Sequence, residues 1–517
     1  MKAKWIGALM LATLPAAGAG ASELPDASAM DALMQRGFDT FGPTGMAVAY
    51  VRDGETVLAK GYGVLEAGKK KAVNEDTLFE VGSLTKAFTA AALALLVDEG
   101  RIGWDDPVIK HLPDFMMHDP WVTREFTIRD ALTHRSGLGQ GAGDLLFWPD
   151  NKSSVPEIIK ALRHLKPVSG FRSEFAYDNL MYVVAGHIVE VVSGKSWEEF
   201  VETRLLKPIG MKGCRATHGR ISGTRNVALP HTRTGDKVAA TAFDPVSPVR
   251  MAGGIVCSAN GMAEWAKLML RGGKTASGDT IFASSTVREM WSPVTPVRFG
   301  EGERQFEGTH FKSYALGWSV QDYWGDYVVT HNGATRGSLA DISLLPDLNA
   351  AVIILSNDVT PTVFALHQAS LMAIAGDNAH DMIAVIQEMA GGQGGPEQAV
   401  EETTEEAQVR TPELPLSAFA GTYEDPWYGA VTVTVEDTGL VLSFSRSKLL
   451  RGSLRYHGNG TFLVQWFDRS LNADAYMTFA VDPDGSVTGA RMKAASPQTD
   501  FSYDFHDLDL KKQRPAE

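Results

Sequence analysis

Cysteine is scarce in this chain of 517 residues: it has only Cys214 and Cys257. Neither belongs to a Cys-x-x-Cys pair or stands beside a histidine, which argues against thiol catalysis and against thiolate metal binding. The two can pair with each other, but their spacing does not decide it. The 13 histidines show no His-Glu-x-x-His or comparable ligand spacing, so no metal and no other cofactor is expected. Positive charge is also short, with 48 Lys and Arg against 62 Asp and Glu and a formal charge of −14. Neutralising phosphates takes clustered Lys and Arg, so nucleic acid is excluded as a partner. No internal apolar run is long enough to span a bilayer.

What is present is an ordinary globular balance, 44% hydrophobic and 21% charged, in a chain too long for one core. Lys2 and Lys4 precede the apolar stretch from Trp5 to Leu14, and Ala19-Gly20-Ala21 offers the small residues a signal peptidase reads. Residues 1–21 are therefore expected to be a secretory signal, which places the protein in the periplasm or outside the cell.

Two β-rich runs between Met46 and Val64 flank Asp53-Gly54, a hairpin signal. Leu84 to Asp98 is apolar all round and closed by Gly100, which predicts a buried helix. Strand character returns at Ala315–Gln321, Tyr327–Thr330, Ala340–Leu345 and Ala351–Leu355, and Leu366 to Met389 reads as helix. Strands at both ends with helices between them predict an α+β domain over residues 22–390, an antiparallel sheet with helices on both sides. Residues 391–415, rich in Gly and Glu, read as a solvated linker. After them the alternating runs Val431–Val435, Leu440–Phe444 and Phe462–Trp466, punctuated by Gly- and Asp-bearing turns, predict an all-β domain over 416–517, a small barrel or a sandwich.

Ser83-Leu84-Thr85-Lys86 opens the buried helix, and a three-residue spacing puts the hydroxyl and the amine on one face. Serine becomes a nucleophile when a neighbouring base takes its proton, and a lysine in apolar surroundings sheds its charge easily enough to be that base. The Ser83 amide, near the helix start, is available to an oxyanion. The spacing is not specific by itself, because Ser445-Arg446-Ser447-Lys448 shows it too. Two further patterns follow in order. Tyr177-Asp178-Asn179 is the only Tyr-x-Asn among 12 tyrosines, and His331-Asn332-Gly333 is the only His-x-Gly. Each taken alone also fits a structural role, as a core tyrosine, a turn asparagine, a strand-end histidine or a bulge glycine.

Together with Phe79-Glu80-Val81-Gly82, Leu132–Leu138, Pro208–Met211, Ala252-Gly253-Gly254 and Tyr314–Trp318, these motifs resemble the serine β-lactamase and penicillin-binding-protein superfamily. The branch most similar holds class C β-lactamases, D-Ala-D-Ala carboxypeptidases, D-aminopeptidases and related esterases. The C-terminal domain resembles the lipocalin-like appendage of some members. The resemblance implies that Ser83 forms an acyl-enzyme and that Lys86 and Tyr177 share the base and proton-relay work. It implies that Asn179 binds the substrate amide and helps place Lys86, and that His331 guides protons or binds a substrate carboxylate. Gly333 would give the substrate backbone room, and the Ala334 amide would complete the oxyanion hole with that of Ser83. The sequence departs from the lactamase pattern at His331, where many members carry Lys, and at Asn332, which replaces a hydroxyl residue; Arg336 is a candidate to supply the missing charge. Asp178 stands where Ser or Ala is usual. These departures fit a peptidase, D-residue specific or not, or an esterase, better than an efficient β-lactamase. A non-catalytic penicillin- or peptide-binding module stays open, as does self-association through the C-terminal domain. The loops Gln140–Pro149 and Val294–Phe311 are expected to shape the substrate pocket.

Overall fold

The computed structural model describes residues 24–151, 153–221, 223–234, 237–243, 248–376, 380–392, 411–437 and 439–514. The expected signal segment and residues 393–410 of the expected linker lie outside them.

Eight antiparallel strands form the main sheet: β1 (Gly45–Arg52), β2 (Glu55–Gly63), β3 (Thr295–Pro296), β4 (Lys312–Tyr314), β5 (Ser319–Tyr323), β6 (Asp326–Thr335), β7 (Ser338–Leu345) and β8 (Ala350–Ser356). Their spatial order is β2-β1-β8-β7-β6-β5-β4-β3, so strands from both ends of the domain meet at its centre. Successive residues of a strand face opposite ways. Met46, Val48 and Tyr50 of β1 and Val352 and Ile354 of β8 enter the core shared with helices α1 (Ala27–Phe41) and α5 (Thr362–Ala375). Ala47, Ala49, Val51, Ala351, Ile353 and Leu355 enter the other core, with α2 (Thr85–Asp98), α3 (Leu180–Ser193) and α4 (Ala259–Leu270). Burial on both faces is why β1 and β8 are apolar at nearly every position instead of alternating.

Three elements differ from expectation. Ala315–Gln321 is not one strand: Ala315–Trp318 is a tight turn between β4 and β5, closed by a bond from the Ala315 amide to the Trp318 carbonyl. The run is apolar because this turn is buried in the core. Strand β6 continues five residues past Thr330, which sets His331–Gly333 within it. The helix expected over 366–389 is two: α5 ends at Gly376, which takes the left-handed conformation that closes helices, and α6 spans Met382–Gly392.

The C-terminal strands β9 (Gly421–Asp425), β10 (Gly429–Glu436), β11 (Gly439–Phe444), β12 (Arg451–Gly458), β13 (Thr461–Trp466), β14 (Ala475–Val481), β15 (Val487–Ala494) and β16 (Asp509–Lys512) form a closed antiparallel barrel. Closure comes from pairing of the first strand with the last, Tyr423 opposite Lys512 and Glu424 opposite Lys511, and this decides between barrel and sandwich. The barrel docks on the helical layer through the turn between β11 and β12. There Ser447 bridges to Asn151 and its hydroxyl donates to the Pro149 carbonyl, while Arg446 Nη1 donates to Ser153 Oγ at 3.0 Å.

Candidate active site

Ser83 sits on a single 3-10 turn, Gly82–Leu84, between the short strand Phe79–Glu80 and α2. That strand pairs with Val256–Cys257, and Cys257 is disulfide-bonded to Cys214, so the turn hangs from a cross-linked support. Ala and Leu carry α2 as a helix with little cost in side-chain entropy, and its apolar circumference buries Lys86 completely.

Lys86 Nζ lies 2.9 Å from Ser83 Oγ, 2.7 Å from Asn179 Oδ1 and 3.2 Å from the Ala252 carbonyl oxygen. The last two atoms can only accept. A neutral amine spends its two hydrogens on them and turns its lone pair to the Ser83 hydroxyl. Burial pulls Lys86 from its ordinary 10.5 to about 7, against the opposing charges of Asp144 and Asp178. The Tyr177 ring lies under the amine at 4.7 Å, and its phenol hydrogen-bonds Ser83. Burial raises that phenol above its usual range, so it keeps its proton at neutral pH.

Asn179 precedes the first residue of α3. Its Nδ2 donates to Asp144 Oδ2 at 2.8 Å, which leaves Oδ1 for Lys86. Asp178, buried beside it, accepts from the Leu180 amide at 2.9 Å and so satisfies an orphan donor of the helix start. Burial raises Asp178 to about 7.

His331 is buried on β6. Its Nδ1 is 2.6 Å from the Asn332 carbonyl oxygen, which only accepts, so the ring hydrogen is there; Nε2 is left to accept from the Tyr314 hydroxyl at 2.8 Å. Burial, with Lys86 second, lowers His331 to about 3, and the ring is neutral at physiological pH. The Tyr314 ring lies edge-on to His331, and the Tyr177 and His331 rings are 6.5 Å apart.

Gly82 and Gly333 let the Ser83 turn and β6 touch. A Cβ on Gly333 would lie 2.1 Å from the Val81 carbonyl oxygen and 3.0 Å from the Ser83 amide nitrogen. A Cβ on Gly82, at φ +51°, would lie 2.7 Å from the Ala334 amide nitrogen. The amides of Ser83 and Ala334 are therefore neighbours on one opening, a cavity of about 410 Å³ that both residues line.

Phe147, Trp148, Phe175 and Phe501 help to make the cavity walls largely apolar. The expected loop Gln140–Pro149 contributes, but among the described residues Val294–Phe311 does not line the cavity; the barrel segment Asp500–Ser502 does. Arg336 lines it too, with Nη2 donating to Thr241 Oγ1 at 3.4 Å. The structure thus brings Ser83, Lys86, Tyr177 and Asn179 into direct contact and seats Gly333 and Ala334 against the Ser83 turn. Sequence reasoning missed Tyr314, whose neighbourhood was noticed but not its partner, and Asp144 and Ser502, which carry no motif. Among the described residues, no group of acidic, His and Cys side chains is arranged to hold a metal ion.

Residues 30–377 match the family model described as Beta-lactamase, and residues 405–512 match a domain of unknown function (DUF3471). A protein named unguisins hydrolase from Aspergillus campestris is 28% identical over 438 residues, covering 78% of this chain and 76% of the relative. Penicillin-binding protein 4 of Amycolatopsis lactamdurans is 27% identical over 327 residues, 62% of this chain and 82% of that one. The solved structure of an octameric penicillin-binding protein homologue from Pyrococcus abyssi superposes with a TM-score of 0.61 at 19% identity, covering 94% of this chain and all of the other, which supports a common fold.

Proposed function

This chain belongs to the beta-lactamase family, and we propose that it is a serine hydrolase that opens a peptide amide through an acyl-enzyme on Ser83. The observation that carries the reading is the hydrogen-bond set of Lys86. With both hydrogens committed to Asn179 and Ala252, the amine has one direction left, toward Ser83 Oγ, and it is neutral for a large fraction of the time near pH 7. Lys86 takes the hydroxyl proton as Oγ attacks the carbonyl carbon. The amides of Ser83 and Ala334 receive the charge that develops on the carbonyl oxygen. The protonated Tyr177 phenol, hydrogen-bonded to Ser83, is the donor placed to protonate the departing amine, and the proton that Lys86 took from Ser83 then passes to the phenolate, which returns both groups to their starting states. Water then attacks the ester carbonyl, and Ser83 recovers its proton as the acid leaves.

A neutral His331 brings no cation for a β-lactam carboxylate, which favours a peptide over an efficient lactamase role. The largely apolar cavity wall favours an acyl group with an apolar side chain. The relative named unguisins hydrolase supports turnover over mere binding. The Cys214–Cys257 disulfide supports an oxidising compartment and hence export.

The test is incubation of the protein and its Ser83→Ala variant with a fluorophosphonate, with a fluorescent penicillin and with D- and L-terminated peptides, followed by intact mass and product analysis. Fluorophosphonate labelling of the parent alone, with peptide turnover and slow or absent penicillin turnover, is the expected result. Equal labelling of Ser83→Ala refutes the assignment of the nucleophile.

A further inference from the structure

Asn179 can present either end of its amide to Lys86, and only one end accepts. The choice is made by Asp144, whose Oδ2 takes the Asn179 Nδ2 hydrogen at 2.8 Å. Asp144 is completely buried on the 3-10 turn Asp144–Leu146, and its Oδ1 has no hydrogen-bond partner. Such a carboxyl is costly and needs to be held.

The holding comes from the barrel, from the segment that joins β15 to β16. Ser502 Oγ donates to Asp144 Oδ2 at 2.9 Å. Two residues on, Asp504, also fully buried, accepts from the Gly143 amide at 2.6 Å and from the Leu145 amide at 3.2 Å, one on each side of Asp144. Three hydrogen bonds from one barrel tripeptide therefore fix both the backbone and the carboxyl of a residue that belongs to the other domain. Among the hydrogen bonds of the described residues, Asp504 spends both carboxyl oxygens on that backbone and neither on the barrel itself.

We propose that Asp144 is a positioning residue for the Ser83–Lys86 pair, and that Ser502 and Asp504 of the barrel set its orientation. The barrel is then a working part of the active site, acting through Asp144, Asn179 and Lys86 in turn. This rests on the reading of Lys86 as the base. The titratable groups facing Lys86 are Asp144, Asp178, His134 and His331, with the Tyr177 and Tyr182 rings against the amine; Asp504 faces Asp144 from the barrel side.

The test uses the full-length chain and the second-order rate of fluorophosphonate labelling from pH 5 to pH 10, with melting temperature recorded alongside. Ser502→Ala is expected to label about tenfold more slowly than the parent at the upper plateau, the loss that follows from leaving a buried carboxyl short of one hydrogen bond. Ser502→Thr, which keeps the hydroxyl, is expected to restore the parental rate. A purely structural Ser502 would lower the melting temperature and leave the plateau rate of the folded protein unchanged. A folded Ser502→Ala with parental plateau and midpoint overturns the proposal, and so does a slow Ser502→Ala that Ser502→Thr fails to rescue. If Ser502→Ala does not fold, Ser502→Cys, close in size and a weak donor, is read in the same way. Ser83→Ala separates the two layers of the argument: labelling of that variant sinks the underlying base-and-nucleophile reading, whereas its silence with an unaffected Ser502→Ala sinks only the role of the barrel.

Discussion

The state of Lys86 makes a quantitative demand on the pH dependence of acylation. In water a lysine of ordinary affinity, 10.5, is neutral in about one molecule in a thousand at pH 7.5. At the lowered value of about 7 the neutral fraction is about three quarters. Burial thus raises the amount of active base by roughly 750-fold. The base works only when deprotonated, so labelling of Ser83 by a fluorophosphonate should rise tenfold per pH unit below the midpoint and level off above it. The reagent suits the question because it is attacked without an amine leaving group to protonate. Rates come from intact mass at fixed reagent concentration, with reagent hydrolysis measured separately. Replacing Asp178 by Asn removes a carboxylate that favours the ammonium form, so the midpoint of that variant should fall below the parent's. A midpoint near 10.5 would mean that Lys86 keeps its ordinary affinity and is charged at neutral pH. One near 3 would hand the role to His331. Either refutes the reasoning.

Gly333→Ala should abolish labelling without unfolding the chain, because the new Cβ displaces the Val81 carbonyl and with it the Ser83 turn; circular dichroism with the labelling assay checks both halves. Tyr314→Phe removes the donor to His331 Nε2 and should cost about 1–3 kcal/mol, read as a lower urea midpoint. Replacing both Cys214 and Cys257 by Ser frees a loop with a sequence separation of 43 and should lower stability by up to about 4 kcal/mol, again by urea titration. Stability unchanged in that double variant would show that the unfolded chain is already confined.

The sheet and the meeting of Ser83 with Lys86 were legible because they depend on local rules, strand runs and helix spacing. The two Ser-x-x-Lys matches show where such rules stop. Lys86 is sealed inside α2, whereas Ser445 and Lys448 are both exposed. Spacing is identical in the two, and burial decides. The longer threads were not legible at all. Asp144 meets Asn179 across 35 residues and Ser502 across 358, and no local pattern marks any of them as partners. His331 carries a motif, yet its neutral state depends on depth and on the nearness of Lys86, which a sequence does not display. Barrel closure likewise hangs on Tyr423 meeting Lys512.

The centre of the sheet has a consequence for how the chain is made. β1 is among the first elements synthesised, yet its neighbour β8 follows about 300 residues later, with Arg52 pairing Ala350 and Met46 pairing Ser356. At 5–20 residues per second the ribosome needs roughly 15–60 s to supply the missing strand. Throughout that interval the β1–β2 hairpin has one edge open, and both cores lack the side chains that β8 supplies. Growth of the nascent chain therefore ends in a long-range closure, and only when residues 350–356 arrive can the first strand stop being a template for aggregation.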